Sequence, residues 1–112
     1  MRTPITIAAV LAALALAGAA TPAAAIDAID CQADHSRAER AICASQSLQT
    51  LDARVTESYA DIMLDSHIKG EVKRAVHESQ ISFLQRREQC GADTECLTEV
   101  MQRRAGRINF YR

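Results

Sequence analysis

The stretch SLQTLDARVTESYADIMLD, residues 47–65, decides how this chain folds. Its apolar residues Leu48, Leu51, Val55, Tyr59 and Ile62 recur at steps of three and four, the repeat of a helix with one buried stripe. The opposite face is read as carrying Asp52, Arg54, Glu57 and Asp61. Downstream, SHIKGE at 66–71 interrupts the pattern, and Gly70 is the only glycine between residues 44 and 90, so the chain is expected to turn there; the alternative is a weak point in one long helix. A third helix over about 71–90 offers Val72, Val76, Phe83 and Leu84 to a core, and Gly91 is a natural C-terminal stop. Asp93 or Thr94 then caps a fourth helix with Leu97, Val100, Met101, Ile108 and Tyr111 on its stripe. Upstream, SRAE at 36–39 is a capping box that opens a short first helix ending near Ala44. Alternating β-branched runs are almost absent. The expected fold class is all-α, a small disulfide-stapled antiparallel helical bundle of three longer helices plus a short N-terminal one.

The staples follow from the compartment. Residues 1–25, MRTPITIAAVLAALALAGAATPAAA, have a basic start at Arg2, an apolar run, and small residues at Ala23 and Ala25, which reads as a secretory signal peptide cut after Ala25. The apolar run is sixteen residues, half of them alanine, short of the ~20 that span a bilayer. That leaves residues 26–112 as one soluble domain in an oxidising space, periplasmic or secreted, where Cys31, Cys43, Cys90 and Cys96 read as a disulfide framework. Four cysteines allow three connectivities. A nine-residue helix over 36–44 spans roughly 13 Å, and the five residues 31–35 reach about 16 Å when extended. The segment before the helix can therefore fold back and set Cys31 beside Cys43. GADTE at 91–95 is a turn that brings Cys90 to Cys96. These pairings are favoured over the crossed ones. Read as metal ligands, Cys31, His35 and Cys43 match no common zinc spacing.

Charge separates along the chain. Residues 26–65 carry eight acids and three bases, residues 66–112 six acids and nine bases. The near balance gives no reason to expect nucleic acid, and packing of opposite charges between antiparallel helices would neutralise the difference.

With these residues laid out, a resemblance emerges. The spacing C31-x11-C43 with Glu39 inside and AIC at its end, then LQTLD with Leu48, Leu51 and Asp52, Tyr59, QISFLQRREQC, CL at Cys96 and Leu97, Arg104 and Ile108 resembles the LprI-like family of exported bacterial proteins, named for a lysozyme inhibitor. Phe83 stands where many relatives carry tryptophan, and Val100 or Met101 where an aromatic is common. The resemblance implies a protein partner, with a lysozyme as the namesake target, and no cofactor. It also singles out Asp52, Arg87 and Arg104 as recurring polar residues near the stripes. They read as an ion-paired network fixing helix register, or else as a binding patch.

Catalytic constellations are not evident. His35, His67 and His77 are scattered and read as solvated surface residues, and Asp61 with Asp65, an i, i+4 acid pair, reads as a solvated face. No phosphate loop, nucleophile elbow or H-E-x-x-H occurs. The best partner-binding candidates are the turn DSHIKGE and the basic tail RRAGRINFYR, with Asp61, Asp65, His67 and Lys69 as the residues singled out. Three functions fit: a binder of cell-wall hydrolases, a general envelope interaction or chaperone-like module, and a metal-binding protein using His and Cys. The last requires free thiols.

Overall fold

Each helix begins where a side chain can satisfy its first free N–H groups. In the computed structural model, which describes residues 28–111, the Ser36 hydroxyl accepts the Glu39 N–H at 3.1 Å and the Glu39 carboxylate accepts the Ser36 N–H at 3.4 Å. This capping box opens α1, Arg37–Cys43. The Ser45 hydroxyl accepts the Leu48 N–H at 3.3 Å and caps α2, Gln46–Leu64, so this helix starts slightly before the point the stripe alone marks. Asp93 accepts the N–H groups of Glu95 and Cys96, both at 3.1 Å, and opens α4, Thr94–Ile108, which runs into a 3-10 turn at Asn109–Tyr111. The leader read at residues 1–25 lies outside the described residues.

The turn between α2 and α3, Gly70–Gln89, is made by an aspartate rather than a glycine. Asp65 leaves the helix in extended conformation and its Oδ1 accepts the His67 N–H at 2.8 Å, an Asx turn. Gly70 is instead the first residue of α3. Among the described residues Gly91 alone has positive φ, 55°, and it ends α3 as a glycine in the left-handed region does at many helix C-termini.

Two apolar clusters fix the topology. Ile42, Leu48, Val55, Phe83, Leu97 and Met101 are buried together, joining α1 and the first halves of α2 and α4 to the second half of α3. Tyr59, Ile62, Val76 and Ile108 form the other cluster, from the opposite halves of the same three helices. Helices α2 and α4 therefore run in one direction and α3 in the other. Burying each large side chain stabilises the fold by about 1.5–3 kcal/mol before entropy is counted. Cys31 is bonded to Cys43 and Cys90 to Cys96, each pair with Cα atoms 5.6 Å apart, and Cys90 packs against the first cluster. Both covalent links sit at one end of the bundle.

Candidate functional site

Polar residues run through the seam where the helices meet. Asp52 is only 7 % exposed, which corrects its placement on the solvent face of α2. The steps 48, 52, 55, 59 alternate four and three, so Asp52 falls within the stripe while Leu51 sits at its edge, half-buried. One Asp52 oxygen accepts the Ile29 N–H at 3.0 Å, and the other accepts Arg87 Nη1 at 3.5 Å. The carboxylate thus ties the segment before α1 to α2 and α3. The Thr56 hydroxyl bonds back to the Asp52 carbonyl. Arg87 also approaches Glu88 at 3.7 Å, and its Nε is buried without a partner.

Arg104 takes no part in that ion pair. Gln80 Oε1 accepts its Nε at 3.1 Å and its Nη2 at 2.9 Å, and Ser79 Oγ accepts Nη1 at 3.0 Å. Asp52, Arg87 and Arg104 are therefore two arrangements that meet at Phe83, whose ring centroid lies 6.0 Å from the Arg87 guanidinium carbon and 5.8 Å from that of Arg104. Burial pushes the Arg104 pKa down, as does the nearby Arg86, while Tyr111 and Tyr59 act the other way. Gln80 and Thr56, both buried, escape an apolar-only reading of the helices. The signal that finds Gln80 is its position in the steps 76, 80, 83, 87.

The histidines divide. His67 is exposed, its side chain 93 % accessible, with Nδ1 3.3 Å from Asp65. The His35 side chain, by contrast, is 8 % accessible, with neither ring nitrogen hydrogen-bonded and Nδ1 3.5 Å from a Glu39 oxygen. His77 is half-buried, and its Nδ1 shares a 2.8 Å hydrogen bond with the Tyr59 hydroxyl. The surface assignment thus holds for His67 and fails for the other two. For His77 the covering group includes Tyr59 of α2, which sequence spacing within α3 does not reveal. Burial raises the Tyr59 pKa, with Arg104 opposing. All four cysteines are bonded, which removes their sulfurs from thiolate chemistry, and among the described residues no group of three His, Cys, Asp or Glu is placed to hold a metal.

Two grooves flank α4. One, of about 570 Å³, lies against α2 and is lined by Arg54, Glu57, Asp61, Gln102 and Asn109 among others. The other, of about 630 Å³, lies against α3 and gathers Arg86, Arg103, Arg104 and Arg107. Between the acidic and the basic stretch of the chain, Asp52 pairs with Arg87 and, at the turn, Asp65 with the neighbouring His67. The turn places Asp65, His67 and Lys69 together at the end away from the disulfides, one helical turn beyond Asp61. The backbone N–H of His67 bonded to Asp65 holds that carboxyl below the usual range, and the His67 ring adds to the effect.

The described residues form a stapled all-α domain with one buried ion pair, Asp52 with Arg87, charged grooves and an exposed polar turn. The family model described as "Lysozyme inhibitor LprI" matches residues 29–108, and the chain belongs to that family. No curated protein and no solved structure matches it.

Proposed function

We propose that this protein is an exported, non-catalytic inhibitor of a cell-wall hydrolase of the lysozyme class. The match to the lysozyme-inhibitor model across residues 29–108 carries the reading. The disulfides support it, because such links persist in oxidising compartments. So does the reading of residues 1–25 as a secretory leader ahead of one domain at 26–112. Among the described residues no helix is long and apolar enough to cross a membrane.

Lysozyme-type hydrolysis uses a pair of carboxylates in a cleft. A protein that fills the cleft and offers a hydrogen-bond donor to those carboxylates blocks it. His67 and Lys69, exposed on the turn, supply such donors. Asp61 and Asp65 beside them supply the negative charge that draws in a basic hydrolase. The test is co-elution of the oxidised protein with purified lysozymes on gel filtration, followed by association kinetics. Neutralising both acids as Asp61→Asn and Asp65→Asn should slow association more than it speeds dissociation, and raising salt should do the same. Asparagine keeps an oxygen for the His67 N–H, so the pair reads charge rather than loss of the turn. Complex formation indifferent to both changes would remove the acidic residues from the interface.

A general chaperone-like module is the second reading, favoured by the exposed Leu64, Ile81 and Phe110, which are 76 %, 45 % and 87 % accessible. Competition by unfolded chains for the lysozyme complex would favour this alternative.

A further inference from the structure

The groove between α3 and α4 holds a cation to which the described residues give no counter-charge. Arg104 is 5 % exposed, yet among the described residues no carboxylate lies within 4.0 Å of it. Its three hydrogen bonds all go to neutral oxygens, of Gln80 and Ser79. A guanidinium has five N–H groups, so two remain without a described protein acceptor. Burying a charge is costly unless something compensates it. Among the described residues the surrounding surface supplies no compensation. Arg86 and Arg107 line the same groove, and neither is within ion-pair reach of a described carboxylate; Arg103, also there, pairs with Glu99 at 2.8 Å.

The guanidinium is also held in place. Gln80 grips it at two nitrogens, Ser79 at the third, and the Phe83 ring lies 5.8 Å away. A fixed planar fork is what bidentate recognition of a carboxylate or phosphate requires. The groove volume of about 630 Å³ falls within the range of small-molecule sites and is far more than one bare oxyanion fills. Phe110 and Tyr111 form part of its wall, and Phe110 is 87 % exposed.

We propose that this groove binds an anionic, ring-bearing small molecule of the sugar-phosphate or sugar-acid class, its oxyanion held by Arg104, Arg86 and Arg107 and its ring covered by Phe110 and Tyr111. The site is separate from the turn assigned to a hydrolase, so loss of inhibition leaves it standing, and its own failure leaves the inhibitor reading untouched.

Titration of the oxidised protein, followed by amide NMR shifts at constant ionic strength, tests it with glucose 6-phosphate, inorganic phosphate and glucose. Glucose 6-phosphate should shift Ser79, Arg86, Arg104 and Arg107 saturably, phosphate the same residues more weakly, and glucose none. Arg86→Gln with Arg107→Gln, both exposed and outside the core, should weaken the sugar phosphate at least about tenfold, as expected for lost charge-assisted bonds, without moving the melting temperature. Arg104→Lys keeps the charge but loses the fork and should weaken it as well; if that variant does not fold, the exposed pair decides. Absence of saturable shifts, equal shifts with glucose, or affinity unchanged in the double variant would overturn the site. Equal affinity for phosphate and the sugar phosphate would overturn the part given to the aromatic wall.

Discussion

At one end of the bundle Leu48, Phe83, Leu97 and Met101 pack beneath α1, two disulfides close the backbone, and Asp52 bonds to Arg87 and Ile29. At the other, Tyr59, Ile62, Val76 and Ile108 pack with no covalent link, one hydrogen bond joins Tyr59 to His77, and an exposed turn follows. The difference lies in how order is maintained. A short chain has limited apolar area to bury. Here the links are concentrated where an extra helix and a buried charge must be held, and the other end is left to apolar packing. The residues proposed for hydrolase binding sit at that second, more loosely held end.

The largest effect that could break this contrast is Asp52→Ala. It removes the partner of a buried Arg87 and frees the Ile29 N–H, so denaturant unfolding should show a loss of about 3–5 kcal/mol, as for other broken buried pairs. A loss under about 1 kcal/mol would reduce the pair to the standing of a surface salt bridge. Next in size is Cys31→Ser with Cys43→Ser, expected to cost about 2–4 kcal/mol. Circular dichroism should keep most of its helical signal, because α2, α3 and α4 bury their own stripes. Collapse of that signal would mean the first staple organises the whole bundle.

At the open end Tyr59→Phe should cost about 0.5–1.5 kcal/mol, the value of one hydrogen bond. It should also change the alkaline limb. A phenol whose folded pKa is raised contributes stability that is full below its unfolded value of about 10 and is lost as pH rises through the folded one. The wild type should therefore lose more stability than the phenylalanine variant as pH climbs above about 10. Parallel alkaline limbs would exclude Tyr59 as the group responsible. The smallest effect belongs to Asp65, whose lowered pKa makes its contribution present above the unfolded value of about 4 and lost as pH falls through the folded one. The melting temperatures of wild type and Asp65→Ala should differ slightly at neutral pH and converge in acid.

Much of this architecture was legible because local chemistry sets helix ends. The Ser36 and Glu39 box, Gly91 with its positive φ, and Asp93 at the start of α4 act within a few residues of themselves. The turn was legible in place but not in cause, since glycine attracts attention and Asp65 made the bend. The seam was harder to read. Asp52, Gln80, Arg87 and Arg104 occupy core positions of their helices, and a search for apolar periodicity sets polar residues outside. Which polar residue meets which depends on how α2, α3 and α4 lie side by side, and no single helix carries that information. His35 and His77 were misplaced for the same reason. For the candidate site, the exposed turn could be read from sequence, whereas the arginine groove needed α3 and α4 brought together.

The most direct measurement is the rate at which lysozymes of animal, plant, phage and bacterial types clear a peptidoglycan suspension in the presence of the oxidised protein, with both disulfides verified by non-reducing peptide mapping. Membership in the lysozyme-inhibitor family and a stapled domain with an exposed polar turn predict dose-dependent slowing of at least one type. Unaltered clearance by every type, at protein concentrations well above that of the enzyme, would contradict the proposed function.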